Sequence, residues 1–276
     1  MKNNLVSDFL LFLRNSPTPF HATQNLESML KSAGYERLLE KDEWSLRKKG
    51  KYYVIRGDSS LIAFELNRTV RENTGFLAIG AHTDSPCLKL KPNPTKQKFG
   101  YLQLNTEVYG GVLLNPWFDR DLSIAGKVIY KTKSGKIKTM LIDCKKPLAV
   151  LSSLAIHLDR EANKKRSIDK QKMLSPILAL QSEDKDFHEL LLSEIKKKEK
   201  LKTGLKLIAT DLFMYDTQAP AVMGLNDEFV SSARLDNLVS CFLACRALID
   251  SNSSQNKLLI CNCLLYTSPS PRDTMS

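Results

Sequence analysis

Long apolar runs are missing from this sequence: no stretch approaches the ~18 consecutive apolar residues that span a bilayer. The start, MKNNLVSDFLLFLRNSPTPFHA, carries Asp8 inside its apolar patch and lacks a small-residue cleavage site, so it does not read as a secretory signal. Cysteine is sparse as well, with six in 276 residues, too few for a disulfide scaffold. Cys241 and Cys245 lie four apart in a helical pattern, and Cys261 and Cys263 lie on an apolar run, whereas a zinc knuckle needs C-x2-C pairs on turns. Buried, reduced thiols are expected instead. Also absent are a G-x-S-x-G elbow, an H-E-x-x-H helix and a Walker A loop, and Tyr109-Gly110-Gly111 lacks dinucleotide spacing. Serine-hydrolase, zincin, NTPase and Rossmann chemistries lose support. A cytosolic protein is the expectation.

What is present is ordinary for a soluble globular chain: 42% hydrophobic and 26% charged residues, which exclude collagen-like, mucin-like and largely disordered readings. Forty-one Lys and Arg against 30 Asp and Glu give a net charge of +11. The densest basic runs, Lys164-Lys165-Arg166 and Lys196-Lys197-Lys198, are interleaved with Glu161, Glu194 and Glu199, as on solvated faces. No RNA-binding aromatic signature accompanies them, so no nucleic-acid partner is expected.

Periodicity divides the chain. Leu5, Phe9, Phe12 and Leu13 keep helical spacing up to Ser16-Pro17, and Ala22, Leu26, Met29, Leu30 and Ala33 form a second face ended by Gly34. Strands are predicted at 52–56, 61–66 and 76–80, the last without alternation and so expected to be buried on both faces. Residues 91–100, rich in Pro and Lys, read as a connector. A hairpin turning at Thr132-Lys133-Ser134-Gly135 follows. Then come an exposed loop at 161–172, a helix at 187–199, one long strand or a pair at 205–215, a helix from 232 and a strand at 257–261. Two helix-and-strand blocks around a β-rich middle suggest an α/β domain, a mixed sheet flanked by helices, with a second domain inserted.

Three short segments could carry chemistry. Gly80-Ala81-His82-Thr83-Asp84 follows a predicted buried strand, where ligands gather in open α/β sheets. His82 there could bind a metal with Asp84 orienting its ring, or be a hydrogen-bonded strand end. Arg234-Leu235-Asp236-Asn237 opens the last helix, where Asp and Asn commonly cap; Asp236 gains weight as a carboxylate able to bridge two metals. His157, in Leu154-Ala155-Ile156-His157-Leu158, reads first as a structural histidine. Arg120, between Asp119 and Asp121, reads as an ion pair with its neighbours.

The sequence resembles the aspartyl aminopeptidases. The resemblance rests on SPTPFHA (16–22), IGAHTDSPCLKLKP (79–92), VYGG (108–111), WFDRDLSIAGKV (117–128), LAIHLDRE (154–161), DLFMYDTQAPAVMGLNDEF (211–229) and SSARLDNLVSC (231–241), in family order over about residues 5–262. It implies a cytosolic exopeptidase using zinc, two divalent cations per site, that removes N-terminal Asp or Glu from peptides. It also implies a peptidase α/β domain (1–90 and 225–262), an inserted β-rich dimerisation domain (91–224), and a homo-oligomer, a dodecamer in the full-length protein. By motif, His82 is implied as a zinc ligand, Asp84 as its orienting neighbour and Asp236 as the bridging carboxylate. His157 is implied to meet substrate or metal at a neighbouring subunit's site.

The resemblance stops after Asn262. There the family continues into an Asp-x-Glu-Glu-Val-Gly-Ser-like motif that supplies the general base and a metal ligand, followed by a ligand aspartate and a histidine. Here the chain reads CLLYTSPSPRDTMS, and 263–276 is expected to be a non-native tail on a truncated gene. The expectation is weak metal binding and no turnover by this chain; a non-catalytic scaffold retaining the oligomerisation domain is the alternative.

Overall fold

The computed structural model describes residues 2–68, 75–181, 187–199 and 204–263. The expected non-native tail, beyond Cys263, lies outside them. In chain order the elements are α1 (Lys2–Arg14), α2 (Pro19–Ser32), β1 (Glu36–Arg37), β2 (Lys51–Arg56), β3 (Ser60–Glu65), β4 (Phe76–His82), β5 (Cys87–Lys98), β6 (Tyr101–Tyr109), β7 (Leu122–Lys131), β8 (Ile137–Asp143), β9 (Ile177–Leu180), α3 (Phe187–Glu199), β10 (Lys206–Asp216), β11 (Ala221–Met223), β12 (Phe229–Ser231), α4 (Leu235–Asp250) and β13 (Asn256–Asn262). The described residues form two compact units, one from within 1–85 and 219–263, the other from within 86–218.

The first unit is a mixed sheet in the order β1-β2-β3-β13-β4. β13 runs antiparallel to β3 and parallel to β4, with Cys261 opposite Ala81 and Asn262 opposite His82. Helices α1, α2 and α4 bury their apolar stripes on the sheet: Phe12, Leu13, Leu26, Leu30, Phe242 and Cys245 pack with Tyr53, Leu61 and Leu259. Local chemistry sets the helix ends. Thr18, in extended conformation, accepts the His21 amide at 3.5 Å, Pro19 sits in the first turn, and Gly34 at φ +82° turns the chain out of α2.

Residues 76–80 are not buried. Phe76, Leu77 and Ile79 are 39%, 49% and 44% exposed. Among the described residues β4 is an edge strand paired only with β13, so an unbroken apolar run here marks a strand uncovered on its outer side.

The second unit is an antiparallel sheet, β8-β7-β10-β5-β6-β9, around a core of Leu88, Leu104, Ile124, Val128, Tyr130, Leu212 and Met214 that α3 closes with Phe187, Leu191 and Ile195. The hairpin of β7 and β8 turns at Thr132–Gly135, with Gly135 at φ +84°. The 205–215 segment is one strand, β10, laddered along β7.

The Pro- and Lys-rich 91–100 segment belongs to β5 rather than to a connector. Its register against β6 jumps between Leu90 and Thr95, so Pro92 and Pro94 fall in a bulge where their missing N–H groups leave no ladder bond unmade. The Asn105 side chain supplies donors there, to the carbonyls of Asn93 (3.0 Å) and Thr95 (3.2 Å). Arg120 bonds neither flanking aspartate; it reaches across to Asp216 (2.6 Å) and Gln218 (2.9 Å), because Asp119, at φ +57°, turns its carboxylate to the Ser153 amide.

Candidate metal site

The site forms where β4 ends and α4 begins. β4 carries His82 to the carboxyl end of the sheet, where side chains leave the ladder and become available to ligands. Before α4 the chain makes an irregular turn: Arg234 is left-handed (φ +63°), and Asp236 and Asn237 are non-helical. Arg234 anchors this turn by donating to the carbonyls of Ser16 (3.2 Å) and Leu13 (3.4 Å) at the end of α1. Asp236 therefore stands in the turn ahead of the regular helix, its side chain 83% exposed.

His82 lies between two carboxylates. Its Nδ1 is 3.0 Å from the Asp84 carbonyl oxygen and 3.3 Å from Asp84 Oδ1, while Nε2 faces Asp236 Oδ1 at 3.6 Å. Asp84 is buried, with a side chain 7% exposed. The hydrogen bond to Asp84 raises the imidazole pKa above its usual 6.5; burial opposes this, and the charges of Asp84 and Asp236 add to it. With Nδ1–H directed at Asp84, the neutral ring keeps its lone pair on Nε2, toward Asp236.

That spacing fits a shared cation. Zinc takes imidazole nitrogen and carboxylate oxygen at about 2.0–2.2 Å, so two tetrahedral ligands stand roughly 3.4 Å apart. His82 Nε2 and Asp236 Oδ1, 3.6 Å apart, match this spacing, and imidazole nitrogen and carboxylate oxygen both bind zinc. Two donors fall short of the three or four that zinc requires. Among the described residues no group of three or more His, Cys, Asp or Glu converges on one point.

The structure thus brings His82, Asp84 and Asp236 together. His157 lies in the second unit, exposed on a turn closed by the Leu158 amide on the Ala155 carbonyl (2.8 Å). Arg166 pins this loop: it donates to Asn115 Oδ1 (2.9 Å) and Ser153 Oγ (3.1 Å) and lies over the Phe118 ring at 4.1 Å.

Sequence reasoning missed three residues around His82. Ser85 Oγ donates to the Asp236 carbonyl (2.8 Å), Asn237 Oδ1 accepts the His82 amide (3.2 Å), and the Cys241 thiol donates to the His82 carbonyl (3.1 Å). The available signal was their placement beside the two motifs: Ser85 in H-T-D-S, and Asn237 and Cys241 one helical turn apart after Asp236. The four cysteines of α4 and of the β13 end, Cys241, Cys245, Cys261 and Cys263, are buried and form no disulfide, as their apolar settings predict.

A family model described as aminopeptidase I zinc metalloprotease (M18) matches residues 12–266. The probable M18 family aminopeptidase 2 of Ectopseudomonas mendocina (strain ymp) is 48% identical over 263 residues, covering 95% of this chain and 61% of that protein. The structure of Chaetomium thermophilum mApe1 aligns with a TM-score of 0.82 at 28% identity, over 94% of this chain and 62% of that one. The mApe1 dodecamer of S. cerevisiae aligns with a TM-score of 0.73 at 26% identity, over 94% and 60%. The chain spans about three fifths of the length of these relatives.

Proposed function

The chain belongs to the M18 family of aminopeptidase I zinc metalloproteases, and we propose that it carries part of a zinc site that removes N-terminal Asp or Glu from peptides in the cytoplasm. The observation that carries this reading is the approach of His82 Nε2 to Asp236 Oδ1 at 3.6 Å, with Nδ1 held by Asp84.

In this reading His82 and Asp236 would be the residues of this chain that hold the metal, Asp236 as the carboxylate able to serve two cations, and the remaining ligands and the general base would come from the part of the relatives that this chain does not span. The bound metal supplies Lewis-acid polarisation of the scissile carbonyl and a water made acidic enough to attack near neutral pH. The protein's own residues prepare for that. Asp84 fixes the tautomer and plane of the His82 ring. Asp236, on the exposed turn, reaches substrate and solvent from the opposite side of the ring. The net charge of +11 favours approach of an acidic N-terminal side chain.

The β-rich unit serves subunit contacts in a homo-oligomer, a dodecamer in the full-length protein, supported by the dodecameric relative. His157 belongs to this arrangement as a residue that meets a neighbouring subunit's substrate; its exposed turn is compatible with that role. The decisive experiment joins residues 1–262 to the C-terminal remainder of the E. mendocina relative and compares release of Asp, Glu, Leu and Lys from aminoacyl anilides. Acidic preference that H82A abolishes is expected. Preference for neutral or basic N-termini would overturn the specificity, and activity surviving H82A would overturn the site.

A further inference from the structure

Asn237 and Cys241 sit one turn apart on α4 and grip the main chain of the same residue. The Asn237 Oδ1 accepts the His82 N–H at 3.2 Å, and the Cys241 thiol donates to the His82 C=O at 3.1 Å. The backbone groups they take follow from strand geometry. In a β-strand the N–H and C=O of one residue point to the same edge, and successive residues alternate edges. The Thr83 amide bonds the Asn262 carbonyl of the β13 side at 2.7 Å, so His82, one residue earlier, turns its amide and carbonyl to the outer edge of β4. Among the described residues no strand pairs with that edge. At His82 alone, the last residue of the strand, two side chains of α4 take its place.

From this we infer that Asn237 and Cys241 are positioning residues, a two-point latch that holds the His82 ring in register with Asp236. The inference rests on the metal-site reading above. Its logic is geometric: the element that presents Asp236 also fixes the backbone of His82, so the two donors move as one body rather than as a strand end and a separate turn. Ser85, donating to the Asp236 carbonyl at 2.8 Å, ties the turn back to the strand exit and completes the loop of contacts. The Cys241 thiol and its neighbour Cys261 on β13 are both wholly buried, so no water competes for the His82 carbonyl from that side.

The test uses the full chain with 15N- and 13C-labelled histidine, titrated with Co2+, whose paramagnetism reports even weak binding in the His82 ring signals. In N237A and C241A the Co2+ concentration needed for half of the effect rises about five- to tenfold, the loss of one hydrogen bond each. C241S, which keeps a donor, and N237D, which keeps an acceptor, stay near the parent chain. Resonances of Leu61 and Phe242 report whether each variant is folded; if one alanine variant is not, the other decides. Alanine variants that answer Co2+ like the parent chain, while H82A does not respond, overturn the latch and leave the metal site standing. If the parent His82 ring ignores Co2+, or answers it equally in D236A, the metal reading fails. The latch is then decided without metal: a shifted His82 ring and a fast-exchanging His82 amide in N237A uphold it, and unchanged signals overturn it.

Discussion

Lys257 and Glu65 face each other across β13 and β3, with Nζ 2.5 Å from Oε2 and side chains only 5% and 6% exposed. Neither charge is left bare. Lys257 also donates to the carbonyls of Leu248 (3.0 Å) and Ser251 (2.8 Å), and Tyr35 donates to the other Glu65 oxygen at 2.6 Å. Burial by itself pushes the Glu65 carboxyl up, but the hydrogen bonds from Lys257 and Tyr35 and the charges of Lys257 and Lys51 outweigh it and hold the pKa below the usual 4.5.

A pH dependence follows from that shift. A carboxylate whose pKa is depressed on folding contributes stability that is complete above the unfolded value, near pH 4.5, and is lost as pH falls through the lower folded value. Urea melts of the chain between pH 7 and pH 3 should show the midpoint falling below pH 4.5, with E65Q showing a shallower fall. An E65Q curve parallel to that of the parent chain would refute the assignment.

Breaking the same pair from one side should cost more than removing it whole. Lys257→Met takes the nearest cation from a buried carboxylate and leaves it Tyr35 and the half-exposed Lys51, at about 3 kcal/mol, whereas Lys257→Met with Glu65→Leu is expected to recover most of that loss. Equilibrium unfolding of the two variants distinguishes these outcomes.

Asp84→Asn tests the support behind the ring. It keeps the shape of the side chain but removes the negative charge beside Nδ1, so Co2+ binding at His82 should weaken roughly tenfold while the melting curve changes little. An unchanged Co2+ titration would show that Asp84 does not tune this histidine.

Phe242 stacks near Phe9 (5.2 Å) and Phe12 (5.5 Å) and joins α4 to α1. Phe242→Ala is expected to destabilise the first unit by about 3–5 kcal/mol. Because α4 carries Asp236, loss of the His82 response to Co2+ should accompany unfolding rather than precede it, as parallel melts followed by fluorescence and by NMR can show.

Arg166→Ala removes two hydrogen bonds and the contact with Phe118. Amide exchange across residues 153–166 should accelerate about tenfold, while β7, held by ladders to β8 and β10, keeps its protection. Equal protection of 153–166 in Arg166→Ala and in the parent chain would show that the loop is held by its backbone alone.

Much of this architecture is legible in the chain because local chemistry and packing agree. The stripe of Leu26 and Leu30, the stop at Gly34 and the Thr132–Gly135 turn each state one outcome. What misled were residues whose neighbours in space lie far away in sequence. The apolar run 76–80 reads as a doubly buried strand, yet which side of a strand is covered depends on strand order, which no local pattern encodes. Pro92 and Pro94 look like a linker because a bulge is visible only once the partner strand is in place. Arg120 finds Asp216, not its sequence neighbours, for the same reason. His82 was legible from its strand-end motif. Asn237 was not, because its amide bonds a backbone group, and backbone groups leave no mark on composition.

The central position of β13 has a consequence for the order of events during synthesis. Residues 86–218 are contiguous and can collapse as soon as they leave the ribosome. The other unit cannot close until residues 256–262 arrive, because β3 and β4 meet only through β13. Until then His82 waits on an unpaired strand, and the half of the molecule that would bind metal matures last.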